Sequence, residues 1–398
     1  MLMEPNMSAK VQFIEGIPVF GEPQESAVTQ IKNCMRHKNA YRAALMADHH
    51  VGYAVPIGGV IAYYDAISPS GVGFDIACGN KAVRLDVPAE EVRANIGRIM
   101  DDIVSQISFG LGRVNKEPVD HPLFDDPAWK LEPVRDLKQM AYEQLGTVGS
   151  GNHYVDIFVD EEDRVWVGVH FGSRGLGHRT LTWFLKKTGT KDGMMVDPLV
   201  LPLKEELGQL YLQCMHLAGR YAYAGRDWVC EKVAKIIGAN IVEEVHNHHN
   251  FAWKETIDGV EVWVVRKGAT PSYPGQKSFV GGTMGEPAVI LEGVAPEKSE
   301  KYQNVPLLHY TLFSTVHGAG RVLGRNQAKR TLSRDSMQNW VRRAGVTLRG
   351  GDVDESPECY KRLDEVLRHQ GKTVRILHTL KPIGVAMAGR GVVDPYKD

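Results

Sequence analysis

The chain has 398 residues, 43% hydrophobic and 24% charged, with a net charge of −1. This is ordinary globular composition, and it excludes binding of nucleic acid through a global basic field. The five cysteines (Cys34, Cys78, Cys214, Cys230, Cys359) include no CxxC pair, which argues against a disulfide framework and for a reducing cytoplasm. No apolar run approaches the roughly 18 residues that would span a bilayer. Met1–Pro5 lacks the charged start of a signal peptide.

In chain order, strands are predicted at Val11–Ile14 and Ile17–Phe20, followed by a helix from about Ser26 with Val28, Ile31 and Met35 on one face. Val51–Ile67 reads as strand and loop around Pro56-Ile57-Gly58-Gly59. Pro88–Ile107 reads as an amphipathic helix, with Pro88 in its first turn and Val92, Ile96, Ile99, Met100 and Ile103 at helical spacing. Val165–Val169 is a strand that ends at His170, and Leu207–Ala224 is a helix with Leu210, Cys214, Leu217 and Tyr221 on one face. Strands follow at Val260–Arg266 and Ala288–Leu291, then a solvated loop at Glu292–Val305 and a last strand within Thr373–Met387. Helices and strands are intermixed without regular βαβ alternation, and no linker or repeat divides them. The expectation is an α+β fold with mixed sheets and surrounding helices, one domain over residues 1–398, and a central cleft for the site.

Chemistry concentrates in glycine-rich turns. Asp48-His49-His50-Val51-Gly52 is followed by Gly73-Phe74-Asp75-Ile76-Ala77-Cys78-Gly79, where a single turn would bring Asp75 and Cys78 to one side. Five further motifs stand out: Gly149-Ser150-Gly151-Asn152-His153, His170-Phe171-Gly172-Ser173-Arg174-Gly175, His246-Asn247-His248-His249-Asn250, Arg266-Lys267-Gly268 and His317-Gly318-Ala319-Gly320-Arg321. A lone turn histidine is more often structural, and a lone buried cysteine is usually a small hydrophobe. Four histidine turns together with Asp75 and Cys78 point instead to a metal site. Softness alone suggests zinc, whereas manganese prefers oxygen ligands, so spacing leaves the element open. Arg174, Arg266, Lys267, Arg321 and Arg325 are candidates for a local basic patch. His248 and His249 are neighbours on a strand and face opposite ways. His317 with Arg321 suits nucleophilic attack at phosphorus.

The set resembles the RtcB family of RNA-splicing ligases from about Gly16 to Gly389. The likeness rests on Asp-x-His-x-Gly (Asp48, His50, Gly52), Gly-x-Asp-Ile-x-Cys-Gly, Gly-x-Gly-Asn-His, His-x-Gly-Ser-Arg-Gly-Leu-Gly, His-His-Asn, Arg-Lys-Gly-Ala, Gly-x-Met-Gly, His-Gly-Ala-Gly-Arg and Asp-Glu-x-Pro-x-x-Tyr-Lys (Asp354 to Lys361). The resemblance implies a GTP- and manganese-dependent ligase. Such an enzyme joins an RNA 3′-phosphate, or a 2′,3′-cyclic phosphate after hydrolysis, to a 5′-hydroxyl in RNA splicing or repair. It implies that Cys78 bridges two Mn²⁺ ions, one also held by Asp75 and His153, the other by His170 and His249. It makes His317 the guanylylated nucleophile and Asp48 the carboxylate that orients it. Asn152 and Arg174 become phosphate contacts, and Tyr360 a stacking partner for guanine. Thr283, Gly318, Ala319 and Gly320 line the nucleotide site, with Arg321, Arg266 and Lys267 for triphosphate or RNA-end oxygens. By the same analogy the protein is a monomer and takes an archease-like activator.

Two departures fall on base recognition. The family's glutamate after Asn-His-Phe-Ile is Asp156 here, and the lysine of its terminal Lys-Gly is Ala388. Ala288 stands where serine is common, and Phe171 replaces a small residue. The metal and nucleophile positions are intact, so the expectation is preserved guanylylation chemistry with an altered nucleotide or RNA-end preference. The rival readings are a dinuclear metal phosphoesterase acting on cyclic phosphates or nucleotides, and a non-catalytic RNA-binding relative.

Overall fold

The structure, a computed structural model, describes residues 10–295 and 307–389. Two sheets organise it. The smaller runs Val11–Ile14, Ile17–Phe20, Ala40–His50, Ile57–Tyr63, Val260–Lys267, Asn250–Ile257. The larger runs Ile241–His248, Gly79–Pro88, Arg164–Phe171, Tyr154–Val159, Val374–Met387, Ala288–Gly293, Lys277–Val280, with Thr347–Arg349 parallel to Val374–Met387. The fold is α+β, as the mixed pattern predicted.

Side-chain alternation decides what each sheet face carries. On Tyr154–Val159, Val155, Ile157 and Val159 join an apolar layer with Val92, Ile99, Met100 and Ile103 of the helix Ala89–Gln106 and Val229 and Val233 of the helix Glu206–Ile237. Tyr154, Asp156 and Phe158 therefore point the other way, where Phe158, Trp166, Phe279 and Ile290 form a second layer. The same alternation sends Val165, Val167 and Val169 to the helices and His170 to the opposite face, which opens into the cleft.

Several predicted elements differ from those observed. The buried face of the first helix, Glu25–Cys34, is Ala27, Ile31 and Cys34, with Gln30; Val28 and Met35 are only partly covered. Pro88 precedes its helix as the N-cap instead of opening it. The helix predicted to end at Ala224 continues to Ile237, where Gly238 stops it in the left-handed conformation. Ala40–His50, read as no element, is an 11-residue strand. Within the predicted loop Glu292–Val305, Glu292 and Gly293 finish a strand, while 296–305 lie outside the described residues, as do Met1–Pro5. No helix among the described residues is long and apolar enough to cross a membrane.

Candidate metal centre and nucleotide cleft

The cleft lies where the two sheets meet. Ile241–His248 belongs to the larger sheet and Asn250–Ile257 to the smaller, so His249 sits at the bend between them. Its N–H and that of Asn250 both donate to the Cys78 carbonyl, at 2.8 and 3.2 Å. The Cys78 turn is closed by the Cys78 N–H on the Asp75 carbonyl, with Ala77 at φ 61°. A non-glycine residue in that region is strained and is held there by its surroundings. Gly172 packs so closely on the Asp75 carboxylate that any Cβ would displace it.

Two donor triplets form, Cys78/His170/His249 and Asp75/Cys78/His153, each with its ligand atoms within 4.8 Å of one another. Cys78 is common to both. His153 and His170 donate their Nδ1 hydrogens to the carbonyls of Val148 and Asn152, at 3.1 and 3.0 Å. Their Nε2 lone pairs are thereby aimed inward, as metal-ligating imidazoles are held. His153 Nε2 then faces Asp75 Oδ2 at 3.1 Å and Cys78 Sγ at 3.8 Å, and His170 Nε2 faces Cys78 Sγ at 3.2 Å. His249 Nδ1 is buried without a hydrogen-bond partner. Lone pairs facing lone pairs at these distances are what a cation resolves, so the residues fit two divalent ions sharing one thiolate. Burial lowers His170 to about 3 and His249 well below its ordinary value, which keeps both imidazoles neutral and able to ligate. Burial pushes the Cys78 thiol up, and the Asp75 charge adds to it; a bound divalent ion reverses that balance.

The His317 ring stands 4.9 Å from that of His249, centroid to centroid. Its Nδ1 donates to Asp48 Oδ2 at 2.6 Å, and the backbone N–H groups of His317 and Gly318 reach the same oxygen at 3.0 and 3.3 Å. Nε2 is the ring nitrogen that Asp48 leaves unengaged. Burial alone would raise the Asp48 carboxyl. The His317 charge and hydrogen bonds, with Lys361, outweigh it, and the group lies below the usual carboxylate range. Lys361 also donates to the carbonyls of Ala47 and His49, fastening the strand that carries Asp48. Gly320 lies against the Asp48 backbone with no room for a Cβ.

His50, Asn152, Asp156, His170, Thr283, Gly318, Ala319, Gly320, Arg321 and Tyr360 line the cleft beside His317. Asp156 is buried, its Oδ1 has no partner, and desolvation drives its carboxyl well above the ordinary range. Burial therefore favours its neutral form, which can donate as well as accept. Ala388 does not line the cleft; its carbonyl accepts from Gly351 N–H at 3.1 Å, and its neighbour Met387 takes the lining position. Arg174 lies on the Asp75 side, with Nε on the Thr147 hydroxyl.

The basic patch does not form as one open face. Arg266 is fully buried, with Glu255, Ser314 and the Leu312 carbonyl around its guanidinium. Lys267 reaches the carbonyls of Tyr53 and Val55. Arg321 donates to the Leu323 and Asp354 carbonyls, the Tyr360 hydroxyl and Glu355, and Arg325 pairs with Asp354 and Glu355. His248 points away from His249, against Arg226, Tyr223 and Phe251, as strand alternation predicts. His49 is structural, donating to the Met46 carbonyl and accepting from Gln24 N–H.

Tyr154, Asn80, Glu355 and Met387 line the cleft without having been singled out, and Arg325, expected only in the basic patch, lines it too. Glu355 lay inside the Asp-Glu-x-Pro motif and Asn80 one residue past Gly79, so position beside a motif was their only signal.

A carboxylate-backed imidazole facing a cluster of soft and hard donors is the equipment of an enzyme that handles phosphoryl groups. The chain belongs to the tRNA-splicing ligase RtcB family, whose model matches residues 30–132 and 125–388. It is 29% identical to the RNA-splicing ligase RtcB of Escherichia coli K12, over 96% of this chain and 98% of that one. It is 30% identical to the tRNA-splicing ligases RtcB of Archaeoglobus fulgidus, over 96% of this chain and 95% of the relative, and of Thermococcus kodakarensis, over 91% of each.

Proposed function

We propose that this protein is an RNA ligase that joins RNA 3′-phosphate ends, or 2′,3′-cyclic phosphate ends after hydrolysis, to 5′-hydroxyl ends through a guanylate carried on His317. The observation that carries the reading is the Asp48–His317 pair beside the shared-cysteine donor cluster. A bare phosphoesterase needs the cluster but has no use for a nucleophilic imidazole held by a carboxylate oxygen that the His317 and Gly318 backbone N–H groups also bind.

Asp75, Cys78, His153, His170 and His249 would hold two Mn²⁺ ions, which supply charge neutralisation for the triphosphate and alignment of nucleophile and leaving group. His317 Nε2 attacks the α-phosphorus of GTP; the N–P bond forms as the bond to pyrophosphate breaks. Asp48 keeps the Nδ1 hydrogen and stabilises the cationic ring as it develops. A 3′-phosphate oxygen of the RNA then attacks the same phosphorus and frees His317. The 5′-hydroxyl oxygen finally attacks the 3′-phosphorus, GMP leaves, and the hydroxyl proton passes to solvent. Asn152 and the Gly318-Ala319-Gly320 turn, which line the cleft with His317, would receive phosphates, and Tyr360 the base. Arg321 must let go of Glu355 or Tyr360 to join them.

Base preference is relaxed, on this reading, because Asp156 is one methylene shorter than the family's expected glutamate, burial favours its neutral form, and Ala388 offers no cation. Five free, buried cysteines suit a reducing cytoplasm. The test is incubation with α-labelled GTP and Mn²⁺: an acid-labile adduct on the chain, absent from His317→Ala, is expected. A chain that cleaves cyclic phosphates and never carries label would overturn the reading in favour of the phosphoesterase.

A further inference from the structure

The helix Glu206–Ile237 carries a fully buried arginine that no motif announced. Arg226 Nη1 donates to the carbonyls of Phe171 at 2.6 Å and Ala77 at 3.1 Å. Its Nε donates to His246 Nε2 at 2.8 Å, and Nη2 to His248 Nδ1 at 2.9 Å. These acceptors come from three neighbouring strands or their ends; His248 pairs with Gly79, and Gly79 with Phe171. Three of them stand next to a residue of the buried donor triplet. Ala77 precedes Cys78, Phe171 follows His170, and His248 precedes His249.

Arg226 approaches from the helix side of the sheet, and its guanidinium does not line the cleft, whereas His170 does. We infer that Arg226 is a positioning residue that fixes the Cys78, His170 and His249 ligand atoms relative to one another, by tying their three chain segments to one planar fork. The inference rests on the metal reading above and adds the residue that sets its geometry. Guanidinium suits the task because its donors are rigidly splayed and its charge does not titrate away. Lysine keeps the charge but offers a single nitrogen, which cannot bond four acceptors in this arrangement. Tyr223, over whose ring the guanidinium lies at 5.3 Å, and the His246 ring against it complete the seat.

The test uses the full chain without nucleotide or RNA. Mn²⁺ affinity is read by titration with detection of free Mn²⁺ by electron paramagnetic resonance, and metal-free melting is followed in parallel. Wild type is expected to bind two ions. Arg226→Lys is expected to weaken Mn²⁺ binding about 10–100-fold and to raise the Mn²⁺ concentration needed for His317 labelling, with the rate at saturating Mn²⁺ largely restored. A purely structural role would lower the melting temperature and leave the folded fraction binding metal as wild type does. His246→Ala retains the buried charge and removes one anchor; a smaller loss of affinity is expected. If Arg226→Lys does not melt cooperatively, His246→Ala decides: wild-type affinity in that variant overturns the inference. Wild-type affinity in a folded Arg226→Lys overturns it while leaving the ligase reading intact. A wild-type chain that binds no Mn²⁺ overturns both.

Discussion

The two ends of the cleft are built on opposite principles. At the metal end, carbonyl groups fix the rings of His153 and His170, Asp48 fixes His317, and the Cys78 carbonyl receives both N–H groups of the sheet-to-sheet bend. The lone pairs converge before anything binds. At the nucleotide end the cations are already engaged, Arg321 and Arg325 with Asp354, Glu355 and Tyr360, while Asp156 carries an unpartnered oxygen in the same cleft. On the proposed reading, the metal end is preorganised in the sense that matters for catalysis. If it binds a nucleotide as proposed, the other end must exchange internal partners for that ligand, and its selectivity would hang on a few groups.

If that contrast is right, substitutions at the metal end abolish chemistry, while those at the nucleotide end retune it. The largest effects belong to His317→Ala and Cys78→Ala. The first should remove the labelled adduct, a loss of at least about 1000-fold. The second deletes the donor common to both triplets and should abolish tight Mn²⁺ binding in a direct titration. A Cys78→Ala chain that still binds two ions tightly would break the contrast at its root. Next comes Asp48→Asn. The amide cannot balance the cationic imidazole, and guanylylation should slow by about 10²–10⁴ with little change in the GTP concentration for half-maximal labelling. A change confined to that concentration would make Asp48 a binding rather than a positioning group.

The same contrast explains what could be read from the chain alone. Asp75, Cys78, His153 and His317 lie in glycine-marked turns, and Asp48, His170 and His249 at the ends of strands, because ligand atoms crowd backbone against side chain there. Gly172 against Asp75 and Gly320 against Asp48 leave no room for a Cβ. Such crowding writes itself into sequence as motif. Arg226 was not legible, since it sits mid-helix, two residues beyond where apolar periodicity gave out, and two of its partners are carbonyls that carry no side-chain signature. The engaged state of Arg266 and Arg321 was equally hidden. Glycine-rich surroundings suggested reach toward a ligand, but Glu255 and Glu355 lie 11 residues before one and 34 after the other. The Ala40–His50 strand went unread because Asp48, His49 and His50, polar and at its end, look like loop, although the fold buries Asp48 and His49.

A subtler expectation concerns Asp156. If the base edge is read by this one shortened acid, labelling from GTP and ATP should proceed with similar efficiency in wild type. Asp156→Glu should then favour GTP by about 10-fold, the scale of one well-made hydrogen bond against a buried partner left unpaired. Strict GTP selectivity in wild type would place base recognition elsewhere in the cleft, with Tyr360 and Glu355 the next groups to replace.

The smallest effect is on stability, and its sign follows from proton linkage. Burial raises the Asp156 carboxyl above the value it has in the unfolded chain. Above the ordinary carboxylate range the folded chain therefore keeps a proton that the unfolded chain has lost, and this site's contribution to stability falls as pH rises. Asp156→Asn fills the same space with an uncharged amide that has no proton to hold. The melting temperature of Asp156→Asn minus that of wild type should thus be larger at about pH 8 than at about pH 5, with a gain of a few degrees at the upper end. The comparison must be made in metal-free chain, so that the titration of Cys78 and its neighbours is common to both proteins and cancels. A difference that stays constant across the range would mean Asp156 is ionised in the fold. It would then accept hydrogen bonds as a glutamate does, and the expectation of relaxed base preference would go with it.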